Sequence, residues 1–123
     1  MNVTDVIAKD AEKNGKRPAA VLTGVMEALD RKKAKLLHDN ASVVILEPIE
    51  GGRNAYNLHL FTADNPQGLA KSAKNLLKQV QNMPGVQKVY GTTKNNQLLR
   101  LLKMTGVNVM EPDRKGYTWM TEL

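Results

Sequence analysis

The run Asn95-Asn96-Gln97-Leu98-Leu99-Arg100-Leu101-Leu102-Lys103-Met104-Thr105-Gly106-Val107 constrains the fold more than any other part of the chain. Asn95 or Asn96 can accept the first free backbone N–H groups of a helix. Leu98, Leu101 and Leu102 recur at i, i+3 and i+4 as one apolar stripe, and Gly106 can take the left-handed position after the last turn. Val107 to Met110 then reads as a strand that follows at once.

The chain has 123 residues, which suits one domain with a single core. Apolar residues make up 41% and charged residues 24%, as in ordinary globular proteins. No run approaches the roughly 18 apolar residues of a membrane span. The first residues lack the blocks of a secretory signal, so a protein that is not secreted and does not span a membrane is expected. Cysteine is absent, which removes disulfides, thiolate nucleophiles and Cys-ligated zinc. His38 and His59 fall in different elements with no carboxylate spaced to join them, so no metal site is expected. The net charge of +6 favours polyanions such as nucleic acid, an acidic partner or a phosphorylated cofactor. Solvated surface lysines explain the same charge equally well.

Thr4 is the expected cap of a short helix from Asp5 to about Lys13, stopped by Asn14-Gly15. Pro18 suits the first turn of a second helix whose apolar residues Val21, Leu22, Val25, Met26, Leu29 and Leu36 share a stripe. Arg31, Lys32, Lys33 and Lys35 crowd its last turns, where cations match the helix dipole. Val43-Val44-Ile45-Leu46, within Ser42 to Pro48, reads as a central strand. Gly51-Gly52-Arg53-Asn54 supplies a turn into a second strand, Ala55 to Thr62, with Tyr56, Leu58 and Leu60 on one face and Asn57, His59 and Phe61 on the other. Pro66 to Gln81 is helical, with Leu69, Ala73, Leu76, Leu77 and Val80 on one side and Lys71, Lys74 and Lys78 opposite, where they could contact a polyanion. Val86 to Tyr90 and Tyr117 to Met120 read as strands, the latter after the turn Pro112 to Gly116. The expected order is α-α-β-β-α-β-α-β-β: a mixed sheet flanked by helices. It divides into a helical part, 1–40, and a sheet-forming part, 41–123, of one domain.

The order Asn, leucine-rich helix, Gly, apolar residue, strand resembles the fourth-helix motif of the GNAT family of N-acetyltransferases. The resemblance runs from Ser42 to Leu123, roughly two thirds of the chain, and implies an α/β GNAT-like fold. It implies that the strand Tyr56 to Thr62 splays from the strand Val86 to Tyr90, with the pantetheine arm of acetyl-CoA in the gap. The pyrophosphate would then sit on the helix that begins near Pro66. The ending, Val89-Tyr90-Gly91-Thr92-Thr93, Leu98 to Lys103, Gly106 and Tyr117 to Trp119, is also similar to small GNAT-like proteins from the morphogenesis regions of short-tailed phages.

The chain departs from the family where the chemistry is carried. The family's phosphate loop reads Arg or Gln, two residues, Gly, one residue, Gly or Ala, whereas here Gly68 follows Gln67 directly. Asp64 or Asn65 reads as a helix cap occupying the N–H groups a phosphate would need, so the loop reads as lost or remodelled. The tyrosine that many members carry seven residues after the capping Asn, to protonate the departing thiolate, falls on Leu102 when counted from Asn95. Glu47 and His59 read as a lone surface charge and a packed or edge residue, leaving no catalytic residue assigned. The family's first strand is missing from Met1 to Val6, which reads as helix.

The expected function is a non-enzymatic, GNAT-like protein-interaction or assembly factor whose partner is another protein, a phage virion or morphogenesis component being one case, in the cytoplasm or within a virion. The alternative is an acetyl-CoA-dependent N-acetyltransferase with a diverged loop, in which Gln67, Gly68 and Asn95 contact the cofactor. A third reading is a basic nucleic-acid-binding module using Lys71, Lys74 and Lys78. One Trp, three Tyr and one Phe give it little to stack bases on.

Overall fold

Val43, Val44, Ile45 and Leu46 are all buried, which puts their strand between two layers of helix. The computed structural model describes residues 2–39, 41–63, 66–92, 96–104 and 106–123, with backbone alone at 66–70, 73, 96–98 and 101. Two helices come first, α1 (Val3–Lys13) and α2 (Pro18–Arg31). The strands are β1 (Lys35–His38), β2 (Ser42–Pro48), β3 (Ala55–Thr62), β4 (Lys88–Gly91) and β5 (Trp119–Glu122), with α3 (Pro66–Gln81) before β4 and α4 (Asn96–Met104) after it. They form one five-stranded sheet in the order β1-β2-β3-β4-β5. Among the described residues only the β3–β4 pair is parallel, and there α3 carries the chain back along the sheet.

Alternation along each strand sorts the core. Val44 and Leu46 pack with Leu76, Leu77 and Val80 of α3, Leu102 of α4, Val89 and Trp119, while Leu58 and Leu60 border that cluster. Val43 and Ile45 face the other way, onto Val6 and Ile7 of α1, with Val21, Leu22, Val25 and Leu29 of α2 behind them. Each such buried aliphatic side chain stabilises the fold by about 1.5–3 kcal/mol relative to leaving it in water.

Several expectations are corrected. The first helix is capped by Asn2, whose side chain accepts the Asp5 N–H at 2.8 Å, rather than by Thr4. The second helix ends at Arg31 instead of running on through Leu36. Lys33 takes the left-handed conformation (φ 55°), the Ala34 N–H returns to the Ala28 carbonyl at 3.1 Å, and the chain leaves as β1. The sheet therefore begins inside the part expected to be all helical, and the order becomes α-α-β-β-β-α-β-α-β. Val107 to Met110 makes one isolated bridge, Met110 to Met120, in place of a strand. Gly106 does close α4: at φ 89° its N–H reaches the Lys103 carbonyl and the Val107 N–H reaches the Leu102 carbonyl, both at 3.1 Å. That is the paired bond of a glycine C-cap. Of the two caps proposed for this helix, Asn96 is its first residue and Asn95 lies outside the described residues.

Gly91, the last residue of β4, has no room for a side chain. A Cβ there would overlap the indole of Trp119, which pairs with Gly91 in β5 and is 3% exposed. Gly91→Ala should therefore destabilise the protein by about 1–3 kcal/mol, the usual cost of overpacking, read as a lower urea midpoint with unchanged slope.

Candidate active site

The parallel ladder between β3 and β4 is short. It holds Ala55, Tyr56 and Asn57 against Lys88, Val89 and Tyr90, and then stops, although β3 continues to Thr62. Among the described residues no further register partners join the two strands beyond Asn57 and Tyr90, which leaves a fork between them. Backbone alternation decides what lines the fork. The Ile49 N–H donates to the Ala55 carbonyl at 3.0 Å and the Ala63 N–H to the Ala41 carbonyl at 2.9 Å, so odd-numbered residues of β3 spend their backbone groups on β2. Leu58, Leu60 and Thr62 turn theirs toward the fork, where β4 has no residue in register with them. At the open end the Thr62 N–H donates to Asp10 Oδ1 of α1 at 3.2 Å. Pro66 starts α3 just beyond that end.

A polar cluster sits beside the closed end, on the face that carries α1. Glu47 and Asn57 are register partners across β2 and β3, and His59 is one pleat further along β3. Glu47 Oε1 meets Lys32 Nζ at 3.1 Å, and Glu47 Oε2 meets His59 Nε2 at 3.3 Å. Asn57 Nδ2 lies 3.2 Å from the same His59 nitrogen, and the buried Asn57 Oδ1 has no protein partner. His59 Nε2 thus faces a donor and an acceptor at once. Without a proton it accepts from Asn57, and with one it donates to Glu47.

Lys32, Glu47, Asn57, Pro48, Ile49, Glu50 and Tyr117 line an open groove of about 510 Å³ over this cluster. Its far wall is pinned to β4. The hydroxyl of Tyr90, itself 1% exposed, donates to Asp113 Oδ1 at 2.5 Å, and Lys88 Nζ reaches Asp113 Oδ2 at 3.3 Å. Tyr117 stacks on Tyr90 with ring centroids 5.1 Å apart, and the Arg114 guanidinium lies over the Tyr90 ring. The hydrogen bond from Tyr90 holds the Asp113 carboxyl below its ordinary value, with Lys88 adding to the effect. Burial, and then the bond to Asp113, push the Tyr90 phenol up, and the bond to Asp113 raises Lys88.

The structure corrects the reading of Glu47 as a lone surface charge, because the hairpin brings it together with Asn57 and with the half-buried His59. Parity held part of this signal, since Asn57 and His59 share a face of β3. Tyr90, Asp113 and Lys32 escaped notice because they come from three distant segments. Leu102 is buried in the core, as a residue without a proton-transferring group can be. Lys71, Lys74 and Lys78 are exposed on α3. Gln67 and Gly68 lie in the first turn of α3, and their side chains, together with Asp64, Asn65 and Asn95, are outside the described residues. Among the described residues no group of three or more His, Asp or Glu could hold a metal ion, and no helix is long and apolar enough to cross a membrane.

No protein-family model and no curated protein sequence matches the chain. Solved structures do. A domain from Methanocaldococcus jannaschii superposes with a TM-score of 0.61 at 13% identity, covering 100% of this chain and 95% of that one. A candidate acetyltransferase of the GNAT family from Desulfovibrio desulfuricans gives 0.64 at 15% identity, over 98% and 91%. The aminoglycoside acetyltransferase AAC(6')-Ib, solved with coenzyme A, gives 0.61 at 14% identity, over 96% and 85%. The chain has the GNAT fold, as its fourth helix implied.

The Asp113 clasp makes a prediction about pH. A carboxyl held below its unfolded value of 3.8 stabilises the fold above that pH and loses its contribution as pH falls through the folded value. Asp113→Asn should therefore lower the urea midpoint at pH 7 and bring it closer to that of the parent protein at pH 3.

Proposed function

We propose that the chain is an N-acyltransferase that moves an acyl group from a coenzyme A thioester to an amine. The observation that carries this reading is the fork: among the described residues Leu58 and Leu60 of β3 lie past the end of the ladder with β4, and the cluster of His59, Glu47 and Asn57 lies beside the closed end. Leu58 and Leu60 turn backbone donors and acceptors to the open edge, which suits the secondary amides of a pantetheine arm. The start of α3 at Pro66 turns the positive end of a helix dipole toward a diphosphate, and this reading assigns Gln67, Gly68 and Asn95 as the contacts. A bound thioester supplies an acyl carbon open to attack by an uncharged amine.

The chain's own residues then deal with the proton. The amine enters the groove from the α1 side and gives up its proton to His59 Nε2, which turns to donate to Glu47. Glu47 holds the imidazolium so formed, and Asn57 keeps the ring in place in the unprotonated state. Similarity to an aminoglycoside acetyltransferase solved with coenzyme A supports this reading. The competing one, a non-catalytic assembly factor on the same fold, in a phage virion or elsewhere, draws only on the loop spacing and Leu102. The nucleic-acid reading draws only on the exposed lysines of α3.

Calorimetric titration with acetyl-CoA should give micromolar binding, and a free-thiol assay over a panel of primary amines should give turnover. His59→Ala should lower kcat by about 10²–10⁴-fold, the usual worth of a positioned base, with acetyl-CoA binding retained. Absence of both heat and thiol release would overturn the proposal.

A further inference from the structure

Lys32 brings an amine to the groove, and the proposed reaction leaves it without a part. It follows the last turn of α2, its N–H closing on the Ala28 carbonyl at 3.2 Å. Its side chain reaches over the sheet so that Nζ stands 3.1 Å from Glu47 Oε1, while the other oxygen of that carboxylate holds His59. A primary amine of the chain itself is thus bound one carboxylate away from the nitrogen that takes up the proton, in the groove an acceptor amine would enter. The side chain is 64% exposed, so it is tethered by Cα and by one ion pair rather than packed in place. A surface ion pair of this kind is weak, so the amine leaves the carboxylate readily.

We propose that Lys32 is an internal acyl acceptor: its ε-amine occupies the acceptor position and is itself acylated. The inference rests on the acyltransferase reading above. In the step, Nζ first yields one ammonium proton to the Glu47–His59 pair. The free amine then forms a C–N bond to the acyl carbon as the C–S bond breaks. The second proton lost from Nζ ends on the departing sulfur, so the products are an acyl-lysine, a thiol and one proton released to solvent. Acylation removes the positive charge and with it the ion pair to Glu47, so the groove changes from a self-occupied to an open state.

The test incubates the full chain with acetyl-CoA, without added amine, and follows acylation by peptide mass mapping. Lys71, Lys74 and Lys78 on exposed α3 serve as internal controls for uncatalysed reaction. Lys32 should be modified at least about tenfold faster than these three, as expected of a nucleophile held near its target, and His59→Ala should bring it down to their rate. Equal rates at all four lysines, or a Lys32 rate unchanged by His59→Ala, would overturn the proposal. Turnover of added amines with Lys32 unmodified would also overturn it and leave the acyltransferase reading intact. Lys32 modified with no added amine turned over would uphold it and limit the enzyme to its own chain. A second readout needs no thioester. Lys32→Ala vacates Glu47, and butylamine should then shift the His59 ring resonances at concentrations without effect on the parent protein. No shift in either protein would refute Lys32 as the occupant of an acceptor position.

Discussion

Three residues of β3 facing three of β4 hold the two halves of this sheet together. Everything ahead of that seam, α1, α2 and β1 to β3, is joined by antiparallel pairing and by the layer of α1 on β2 and β3. Everything beyond it, β4 and β5, is fastened by the indole of Trp119 lying over Gly91 and by the clasp of Tyr90, Asp113 and Lys88. Lys88, Val89 and Tyr90 pair with both β3 and β5, whereas Gly91 pairs with β5 alone, so the parallel ladder is one residue shorter than β4. The fork begins where that ladder ends.

The two faces of the sheet at the fork differ in a way that divides labour. Toward α3 and α4 the surface is continuous core, with Leu58 and Leu60 against Val89, Leu102 and Trp119, which gives a dry, rigid floor. Toward α1 the core around Val43 and Ile45 gives way near the closed end to Glu47, Asn57 and His59. Polar groups so close to a core persist only when they are satisfied by one another or by something that binds, and here the amide oxygen of Asn57 is left over. The same face carries the groove, so this acceptor, without a partner among the described residues, and the entry path coincide.

Much of the architecture was legible in the chain because it follows from local periodicity. The alternation of Tyr56, Leu58 and Leu60 against Asn57, His59 and Phe61 gave both faces of β3 correctly, and the glycine at 106 marked the end of α4. Failures came where a local signal was outweighed by a backbone turn. Leu36 fits the stripe of α2, yet the left-handed Lys33 diverts it into β1. The pairing of Glu47 was hidden for a similar reason: it has no partner within its own segment, and only the register of β2 against β3 supplies one.

Hydrophobic period and turn chemistry, which act over a few residues, fix the fold class, the order of elements around β3 and β4, and which residues of β3 look away from the α3 layer. The grouping of Lys32, Glu47, Asn57 and His59 into one cluster, and the bond of Tyr90 to Asp113, arise from packing between distant segments. Contacts between residues far apart in the chain depend on strand register and helix ends, and a shift of one residue in either would send each of these side chains to the opposite face.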